Sequence, residues 1–172
     1  MLFPVFLLSC HVDTSKELVL FDFETEAELD QLNWNCQTVY SLSNEHSTHG
    51  AKSLRLELYP SDYPGFDPSI KKYDAWKGYQ EFHFDIYNPQ QEEVRISVRI
   101  DDSKDYPDYG ERYNKSFMLK PGFNNISIPL NTLITSGSGR KLNLKKIYQL
   151  LIFMSHPEKR TVLYMDYIRL IY

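Results

Sequence analysis

Residues 94–100 (VRISVRI) decide the class of fold. Val and Ile occupy every second position of this segment, and Arg or Ser occupies each position between them. Successive side chains of a β-strand point to opposite faces of the sheet. The pattern therefore predicts a strand with one face buried in a core and the other face in solvent.

The same alternation extends along the chain on both sides of this segment. Residues 54–58, 82–86 and 126–128 also place apolar side chains at every second position, which predicts further strands with one buried face. Residues 147–154 and 162–171 are apolar on both faces, as is expected of strands in the interior of a sandwich.

Turn-forming residues separate these strands, and helical signal is scarce. Residues 87–89, 120–122 and 136–139 carry the Asn, Pro, Gly and Ser that form turns. Only Thr25 and Glu28, at the N-cap and capping-box positions, predict a short helix. Many short strands with little helix predict an all-β fold, an antiparallel β-sandwich of jelly-roll type.

The composition narrows the class of function. The chain has 172 residues, enough for one domain with a sizeable core, and its hydrophobic fraction of 42% argues against disorder. Its net charge is −4 and Lys and Arg form no dense cluster, which argues against nucleic-acid binding. Thirteen tyrosines favour a ligand-binding surface, since tyrosine offers a flat apolar face and a polar tip.

Residues 1–10 (MLFPVFLLSC) resemble the end of a bacterial lipoprotein signal peptide, in which Cys10 becomes the lipidated first residue. The apolar run is too short to span a bilayer. No Lys or Arg precedes it, so an N-terminal strand is the alternative. We expect a signal-like segment over 1–10, a short tether over 11–18 and a single jelly-roll domain over 19–172. The predicted location is the cell envelope, as a membrane-anchored lipoprotein that is periplasmic or surface-exposed.

The chain has two cysteines, Cys10 and Cys36. If Cys10 is lipidated, Cys36 has no partner for an intramolecular disulfide; if Cys10 is unmodified, the two residues could pair. Neither lies near a second Cys or a His at ligand spacing, which argues against a zinc site.

Several short phrases occur in an order that resembles one known superfamily. They are residues 21–24 (FDFE), 48–54 (THGAKSL), 74–79 (DAWKGY), 82–89 (FHFDIYNP), 120–124 (KPGFN) and 163–170 (LYMDYIRL). Together they resemble the galactose-binding-domain-like jelly rolls, which include many carbohydrate-binding modules attached to glycoside hydrolases. The resemblance covers nearly all of the chain from Val19 onward.

This resemblance implies a structural calcium ion near the two ends of the domain. The matching positions are Asp22, Glu24, Gly50 and Asp166. Asp166 shares a strand face with Tyr164 and Ile168, where a carboxylate is costly unless it is paired, and calcium takes oxygen ligands. The alternative is a salt bridge from Asp166 to Arg169 or Arg55.

The resemblance also implies sugar binding without catalysis, through aromatic platforms and a few polar groups. Residues 100–114 (IDDSKDYPDYGERYN) resemble a pattern in which a strand ends in an acidic pair and a loop leads to an acid-Arg-aromatic-Asn run. The candidate residues for hydroxyl groups are Asp101, Asp102, Glu111, Arg112 and Asn114, and those for sugar rings are Tyr106, Tyr109, Trp76 and Tyr79.

A structural interpretation of the same residues stands beside the functional one. Charged loops are common because loops are solvated, and Arg112 could pair with Asp101 or Asp102 simply to order the loop. Aromatic residues near strand ends often close the core of a sandwich, and Trp34 is predicted to do so.

Three classes of function follow. The first is a non-catalytic, carbohydrate-binding-module-like lipoprotein of the envelope, with an oligo- or polysaccharide as its partner. The second is an interaction module for another envelope protein. The third is a jelly-roll glycoside hydrolase or polysaccharide lyase; it is disfavoured because no catalytic motif or identifiable carboxylate pair is present in the sequence.

Overall fold

A computed structural model describes residues 17–33, 36–70 and 76–172 of the chain. The predictions for Cys10 and Trp34 lie outside these residues. The described part of the chain forms two antiparallel sheets packed face to face, which confirms the predicted all-β jelly-roll sandwich.

One sheet has six strands in the order β3-β4-β11-β6-β9, with β1 paired to β11. The strands are β1 (Glu17–Phe21), β3 (Thr38–Ser43), β4 (Ser53–Leu58), β6 (Glu81–Asn88), β9 (Gly122–Pro129) and β11 (Thr161–Ile171). Strand β11 pairs with β4 through its first half and with β1 through its second half. A bulge at Tyr167, whose φ is 52°, separates the two halves.

The other sheet has five strands in the order β2-β5-β10-β7-β8. The strands are β2 (Leu32–Asn33), β5 (Gly65–Pro68), β7 (Val94–Asp101), β8 (Tyr113–Leu119) and β10 (Gln149–Phe153). Strand β7, which contains the segment that predicted the fold, lies between β10 and β8. The last predicted strands, β10 and β11, are interior strands, as their apolar character on both faces indicated.

The core lies between the two sheets. Val94, Ile96, Val98 and Ile100 of β7 are all buried and belong to one cluster with the inward-facing residues of β6. Complete burial of an aliphatic or aromatic side chain of this size contributes about 1.5–3 kcal/mol. The period-two pattern thus supplies the inner face of each sheet.

Helical structure is limited to one short helix and two 3-10 turns in the described residues. Helix α1 (Glu26–Leu29) follows Thr25, whose N–H donates to Glu28 Oε2 at 3.3 Å, as the capping-box pattern predicted. No helix in this part of the chain has the length and apolar character needed to cross a membrane.

The outward face of β7 departs from the simple pattern. Arg99 and Asp101 occupy outward positions, yet they are only 8% and 1% exposed. Alternation predicts solvent at these positions, so another part of the chain must cover them. That part is the segment between β7 and β8.

Candidate functional site

Residues 102–112, here called the covering loop, connect β7 to β8 and fold over the outer face of the five-stranded sheet. Beneath it, Arg99 Nε donates to Asp101 Oδ2 at 2.9 Å, and Arg99 Nη2 donates to the same oxygen at 2.5 Å. The ring of Tyr106 lies over the guanidinium, with its centroid 5.8 Å from Arg99 Cζ. The loop therefore encloses a buried ion pair against the sheet.

Arg112, at the end of the covering loop, forms a hydrogen bond with an earlier residue of the same loop. Its Nε donates to the carbonyl oxygen of Pro107 at 2.7 Å. Burial, together with the nearby charge of Arg99, lowers the pKa of Arg112 below its usual value. The prediction that Arg112 pairs with Asp101 or Asp102 is wrong, because each of these carboxylates is held by another arginine.

Arg140 fastens the covering loop to the segment that follows β9. Its Nη1 and Nη2 donate to the two carboxylate oxygens of Asp102 at 2.7 and 2.9 Å, and its Nε lies 3.4 Å from Glu111 Oε2. The Asn143 N–H also donates to Asp102, at 2.7 Å. The Arg140 guanidinium holds the pKa of Asp102 below its usual value. Asp102 is therefore a structural anchor of the loop.

A backbone contact reinforces this connection. The Gly137 N–H donates to the Gly110 carbonyl oxygen at 2.8 Å, and the Ser136 N–H donates to the Arg112 carbonyl oxygen at 2.8 Å. A Cβ atom on Gly137 would lie 2.7 Å from Gly110 Cα, so this approach requires glycine.

A groove of about 920 Å³ runs beside the covering loop. We call it the Tyr106 groove; its lining consists of Asn33, Asp67, residues 103–107 and residues 145–149. Gln149 lies at its floor, where Nε2 donates to Asp67 Oδ2 at 3.1 Å and Oε1 accepts from Arg99 Nη2 at 3.4 Å. These hydrogen bonds connect the buried ion pair to the floor of the groove.

Two tyrosines border the Tyr106 groove on opposite sides. Tyr106 is 70% exposed on the covering loop, and Tyr148 precedes β10 on the facing segment. Lys104 Nζ lies 5.6 Å from the centroid of the Tyr148 ring. The groove thus brings tyrosine rings, amides, carboxylates and ammonium groups together in an open cleft.

The structure separates the other predicted sugar-binding residues of the covering loop and its flanks from this groove. Asp101 and Asp102 are engaged in ion pairs, and Glu111 borders Arg140 on the far side of the loop. Tyr109 is 69% exposed but does not line the groove. Asn114 pairs in register with Arg99, and its Nδ2 is buried without a hydrogen-bond partner among the described residues.

Trp76 and Tyr79 do not serve as exposed platforms. Trp76 is 0% exposed and stacks on Phe82 in the core, with ring centroids 5.1 Å apart, so the prediction of a sugar platform there is wrong. Tyr79 is partly buried, and its ring lies 4.3 Å from that of Tyr172. A tryptophan beside a strand buries more apolar area when it packs into the core of the sandwich than when it stays exposed as a platform.

Sequence reasoning missed most of the groove lining. Asn33, Asp67, Lys145, Lys146 and Tyr148 come from separate segments that strand pairing brings together. Gln149 was the one detectable signal, because it is a polar residue at an outward position of an otherwise apolar strand.

The residues predicted to hold calcium meet at the turn formed by residues 48–52. Glu24 Oε1 accepts from the N–H groups of Ala51 and Lys52, both at 2.8 Å, and these bonds lower the pKa of Glu24. Asp166 Oδ2 accepts from the N–H groups of Thr48 and His49, at 2.6 and 2.9 Å. Burial raises the pKa of Asp166 in spite of these bonds.

Asp22 and Gly50 belong to the same arrangement. Asp22 Oδ2 lies 3.6 Å from His49 Nδ1. Gly50 has a φ of 66°, and a Cβ atom on it would lie 2.4 Å from Glu24 Oε1. Glycine therefore allows the turn to press against the Glu24 carboxylate.

This arrangement does not fit a calcium ion. Calcium requires six to eight oxygen ligands, whereas the turn presents N–H donors to the carboxylates of Glu24 and Asp166. In residues 17–33, 36–70 and 76–172, no three His, Cys, Asp or Glu residues gather as a metal site. The two arginines considered as salt-bridge partners of Asp166 pair with other acids. Arg169 pairs with Glu17 and Asp85, and Arg55 pairs with Glu57. The calcium prediction is tested by chelation, and these N–H donors lead us to expect no bound ion.

No protein-family model and no curated protein matches this chain. Among solved structures, it is similar to a family 11 carbohydrate-binding module from Clostridium thermocellum in complex with a β-1,3-1,4-mixed-linked tetrasaccharide. The TM-score is 0.66 at 17% identity, over 90% of this chain and 95% of that chain.

Two further structures show the same likeness. The CBM22-1 xylan-binding domain from Paenibacillus barcinonensis Xyn10C aligns with a TM-score of 0.60 at 9% identity, over 89% of this chain and 94% of that domain. An exo-β-agarase aligns with a TM-score of 0.71 at 14% identity, over 88% of this chain and 24% of the agarase. At these identities the likeness establishes the fold, a jelly roll shared with carbohydrate-binding modules, as the sequence resemblance implied.

Proposed function

We propose that this protein is a non-catalytic, carbohydrate-binding-module-like protein that holds an oligo- or polysaccharide in the Tyr106 groove. One observation carries the proposal: an open groove of about 920 Å³ lies on the outer face of the five-stranded sheet and combines an exposed tyrosine with fixed amide and carboxylate groups. Similar solved structures include a module complexed with a tetrasaccharide and a xylan-binding domain, which supports a glycan as the ligand.

The chemistry of the groove suits a sugar chain. Sugar hydroxyl groups need planar hydrogen-bond partners, and the side chains of Asn33, Asp67 and Gln149 can supply them from the floor. The apolar face of a sugar ring needs an aromatic surface, which Tyr106 and Tyr148 supply from the two walls. Binding groups on a strand and on an anchored loop lose little conformational freedom when a ligand binds.

The same groove offers little for hydrolysis. The carboxylates that line it are Asp67, which accepts a hydrogen bond from Gln149, and Asp105, which is exposed on the covering loop. Glycoside hydrolysis requires a general acid and a second carboxylate on either side of one glycosidic bond. These two are the carboxylates among the described lining residues, and Asp67 is engaged by Gln149, which favours binding without turnover.

A matched pair of tyrosine variants tests the proposal. Tyr106 and Tyr109 lie three residues apart with nearly equal exposure, 70% and 69%, but only Tyr106 lines the groove. We expect Tyr106→Ala to weaken binding by about tenfold or more, the loss typical of an interface hot spot, and Tyr109→Ala to leave it unchanged. Binding is measured by calorimetry on the full chain carrying Cys10→Ala, with mixed-linkage β-glucan, xylan, agarose oligosaccharides and polygalacturonate.

The other outcomes decide between the remaining classes of function. Equal loss in both variants, or loss in neither, would contradict the assignment of the site to the groove. Release of new reducing ends from any of the four glycans would indicate an enzyme. An absence of binding to all of them would favour an interaction module for an envelope protein.

We also propose that Cys10 carries the lipid that anchors the protein in the envelope. The support is the sequence of residues 1–10, which ends in Leu-Leu-Ser-Cys after an apolar run. In a bacterial expression host, the wild-type chain should fractionate with membranes and Cys10→Ala should be released, whereas Cys36→Ala should stay membrane-bound. Membrane association of the Cys10→Ala chain would contradict lipidation.

A further inference from the structure

The charge of the Tyr106 groove differs in sign from the charge of the whole chain. Three lysines line the groove, Lys104, Lys145 and Lys146, against the two carboxylates Asp67 and Asp105. The described residues of the lining therefore carry three positive and two negative charges, a net charge of +1, although the chain as a whole carries −4. A local excess of cations on an acidic protein attracts anionic ligands.

The three lysines are available to a ligand. No ion pair among the described residues involves any of them, whereas the arginines beside the groove, Arg99 and Arg140, are held by carboxylates. The Lys104 ammonium group lies over the Tyr148 ring, 5.6 Å from its centroid. Lys104, Lys145 and Lys146 are all exposed.

The lysines come from two segments that hydrogen bonds connect to each other. Lys104 belongs to the covering loop, and Lys145 and Lys146 belong to the facing turn. In that turn, the Lys145 N–H donates to Asn143 Oδ1 at 3.1 Å and the Lys146 N–H donates to the Asn143 carbonyl oxygen at 2.8 Å. Asn143 is tied in turn to Asp102 at the start of the covering loop. A chain lying in the groove therefore meets ammonium groups from both sides.

We propose that the glycan bound in the Tyr106 groove is an anionic polysaccharide, one whose rings carry uronate carboxylates or sulfate esters; this inference rests on the proposed function. A neutral glycan would partly desolvate the three ammonium groups without neutralising them. An anionic glycan replaces the lost water with charge-assisted hydrogen bonds.

A comparison of glycans with matched backbones tests this inference. Polygalacturonate and its fully methyl-esterified form share one backbone, and esterification removes the carboxylate charge. Mixed-linkage β-glucan is a neutral reference, and a sulfated galactan distinguishes sulfate from carboxylate. We expect the full chain carrying Cys10→Ala to bind polygalacturonate or the sulfated galactan at least about tenfold more tightly than the two neutral glycans. Binding should weaken as salt rises from 50 to about 500 mM, because salt screens charge attraction.

Two double variants assign the effect to the groove. Lys145→Gln with Lys146→Gln should reduce the affinity for the anionic glycan by roughly two- to thirtyfold, the range expected for two exposed ion pairs. The control, Lys77→Gln with Lys120→Gln, removes the same charge from exposed positions outside the groove and should change the affinity by less than about twofold.

The outcomes separate this inference from the function on which it rests. Equal affinity for charged and neutral glycans, with Tyr106→Ala still weakening both, would overturn the anionic class and leave glycan binding intact. Equal losses in the two lysine double variants would also overturn it, because the effect would then come from net charge alone. Failure of the chain to bind any of the four glycans would remove the proposed function and this inference together.

Discussion

The charged residues on the outer faces of the two sheets differ in how far they form ion pairs. On the six-stranded sheet, Glu57 is shared by Arg55 and Arg160, and Arg169 lies 3.7 Å from Glu17 and 3.6 Å from Asp85. These charged side chains therefore pair with one another on that face. The five-stranded sheet buries one pair under a loop, and the three lysines along its groove form no ion pair with any residue that the structure describes.

The aromatic residues of the two faces differ in the same way. On the six-stranded sheet, His46 stacks on Tyr87 with ring centroids 3.6 Å apart, and Tyr164 and Phe123 pack around them at 4.7 and 4.8 Å. Phe123 is 58% exposed within that packed cluster, whereas Tyr106, beside the groove, is 70% exposed and lies over the buried Arg99 guanidinium. The face whose groups are not satisfied internally is the better candidate for a ligand.

The largest effect should come from breaking the buried pair. Arg99→Ala leaves the Asp101 carboxylate, 1% exposed, without its guanidinium, and we expect a loss of about 3–5 kcal/mol in the free energy of unfolding. Arg55→Ala on the other face should cost only about 1 kcal/mol, since Glu57 keeps Arg160. Urea denaturation of both variants measures the difference.

A second variant controls for the loss of packing. Replacing both partners, Arg99→Met with Asp101→Leu, should recover most of the stability, because no buried charge is then left alone. If Arg99→Ala and Arg55→Ala destabilise the protein equally, the buried pair does not support the covering loop as described.

The next effect concerns how two carboxylates, Asp102 and Asp166, make the stability of the fold depend on pH. One lies at each sheet. The pKa of Asp102 is lowered by Arg140, so its contribution to stability is present above the unfolded-state pKa, near 3.8, and is lost as the pH falls through the lower folded-state value. The pKa of Asp166 is raised by burial, so the folded state gains relative stability as the pH falls through the raised value towards 3.8.

Two Asn variants make this contrast measurable. The stability difference between the wild type and Asp102→Asn, roughly 1–3 kcal/mol at pH 7, should shrink as the pH falls below 4. The stability of the wild type relative to Asp166→Asn should instead rise as the pH falls through the raised pKa of Asp166 towards 3.8. Parallel pH profiles for the two variants would show that the carboxylates do not differ in this way.

The smallest effect should be that of chelation. Because the residues 48–52 turn presents N–H groups, we expect EDTA to shift the melting temperature by less than about 1 °C. A bound ion at a hundred times its Kd would contribute about 2.7 kcal/mol, which corresponds to a shift of roughly 5–10 °C. A shift of that size, reversed by calcium, would show that the turn rearranges around a metal.

The alternating pattern of the sequence predicted many of the strands and the side chains that face the core. The alternation over residues 94–100 and 82–86 identifies which side chains enter the core, since burial depends on local period. The same rule failed at Arg99 and Asp101, because their burial depends on a loop that folds back over the strand. Loop position is set by contacts such as that between Asp102 and Arg140, 38 residues apart, which no local pattern encodes.

The candidate site was less accessible to sequence reasoning than the fold. Of the residues that the sequence analysis predicted to bind sugar, Tyr106 is the one that lines the groove. Sequence reasoning paired the acids of this segment with Arg112, which lies in the same segment. In the structure, Asp101 pairs with Arg99 of its own strand, and Asp102 pairs with Arg140 of a distant loop. The groove floor depends on the pairing of β2, β5 and β10, which only the folded sheet reveals.

Mapping a bound oligosaccharide on the two faces tests the central claim most directly. Backbone amide shifts of the full chain carrying Cys10→Ala are followed by NMR during titration with an oligogalacturonate and, separately, with a mixed-linkage β-glucan tetrasaccharide. We predict shifts at Asp67, Tyr148 and Gln149 in the groove, and none at Phe123 and Asn125 on the other face. Shifts confined to the six-stranded sheet, or none with either sugar, would contradict the assignment of glycan binding to the Tyr106 groove.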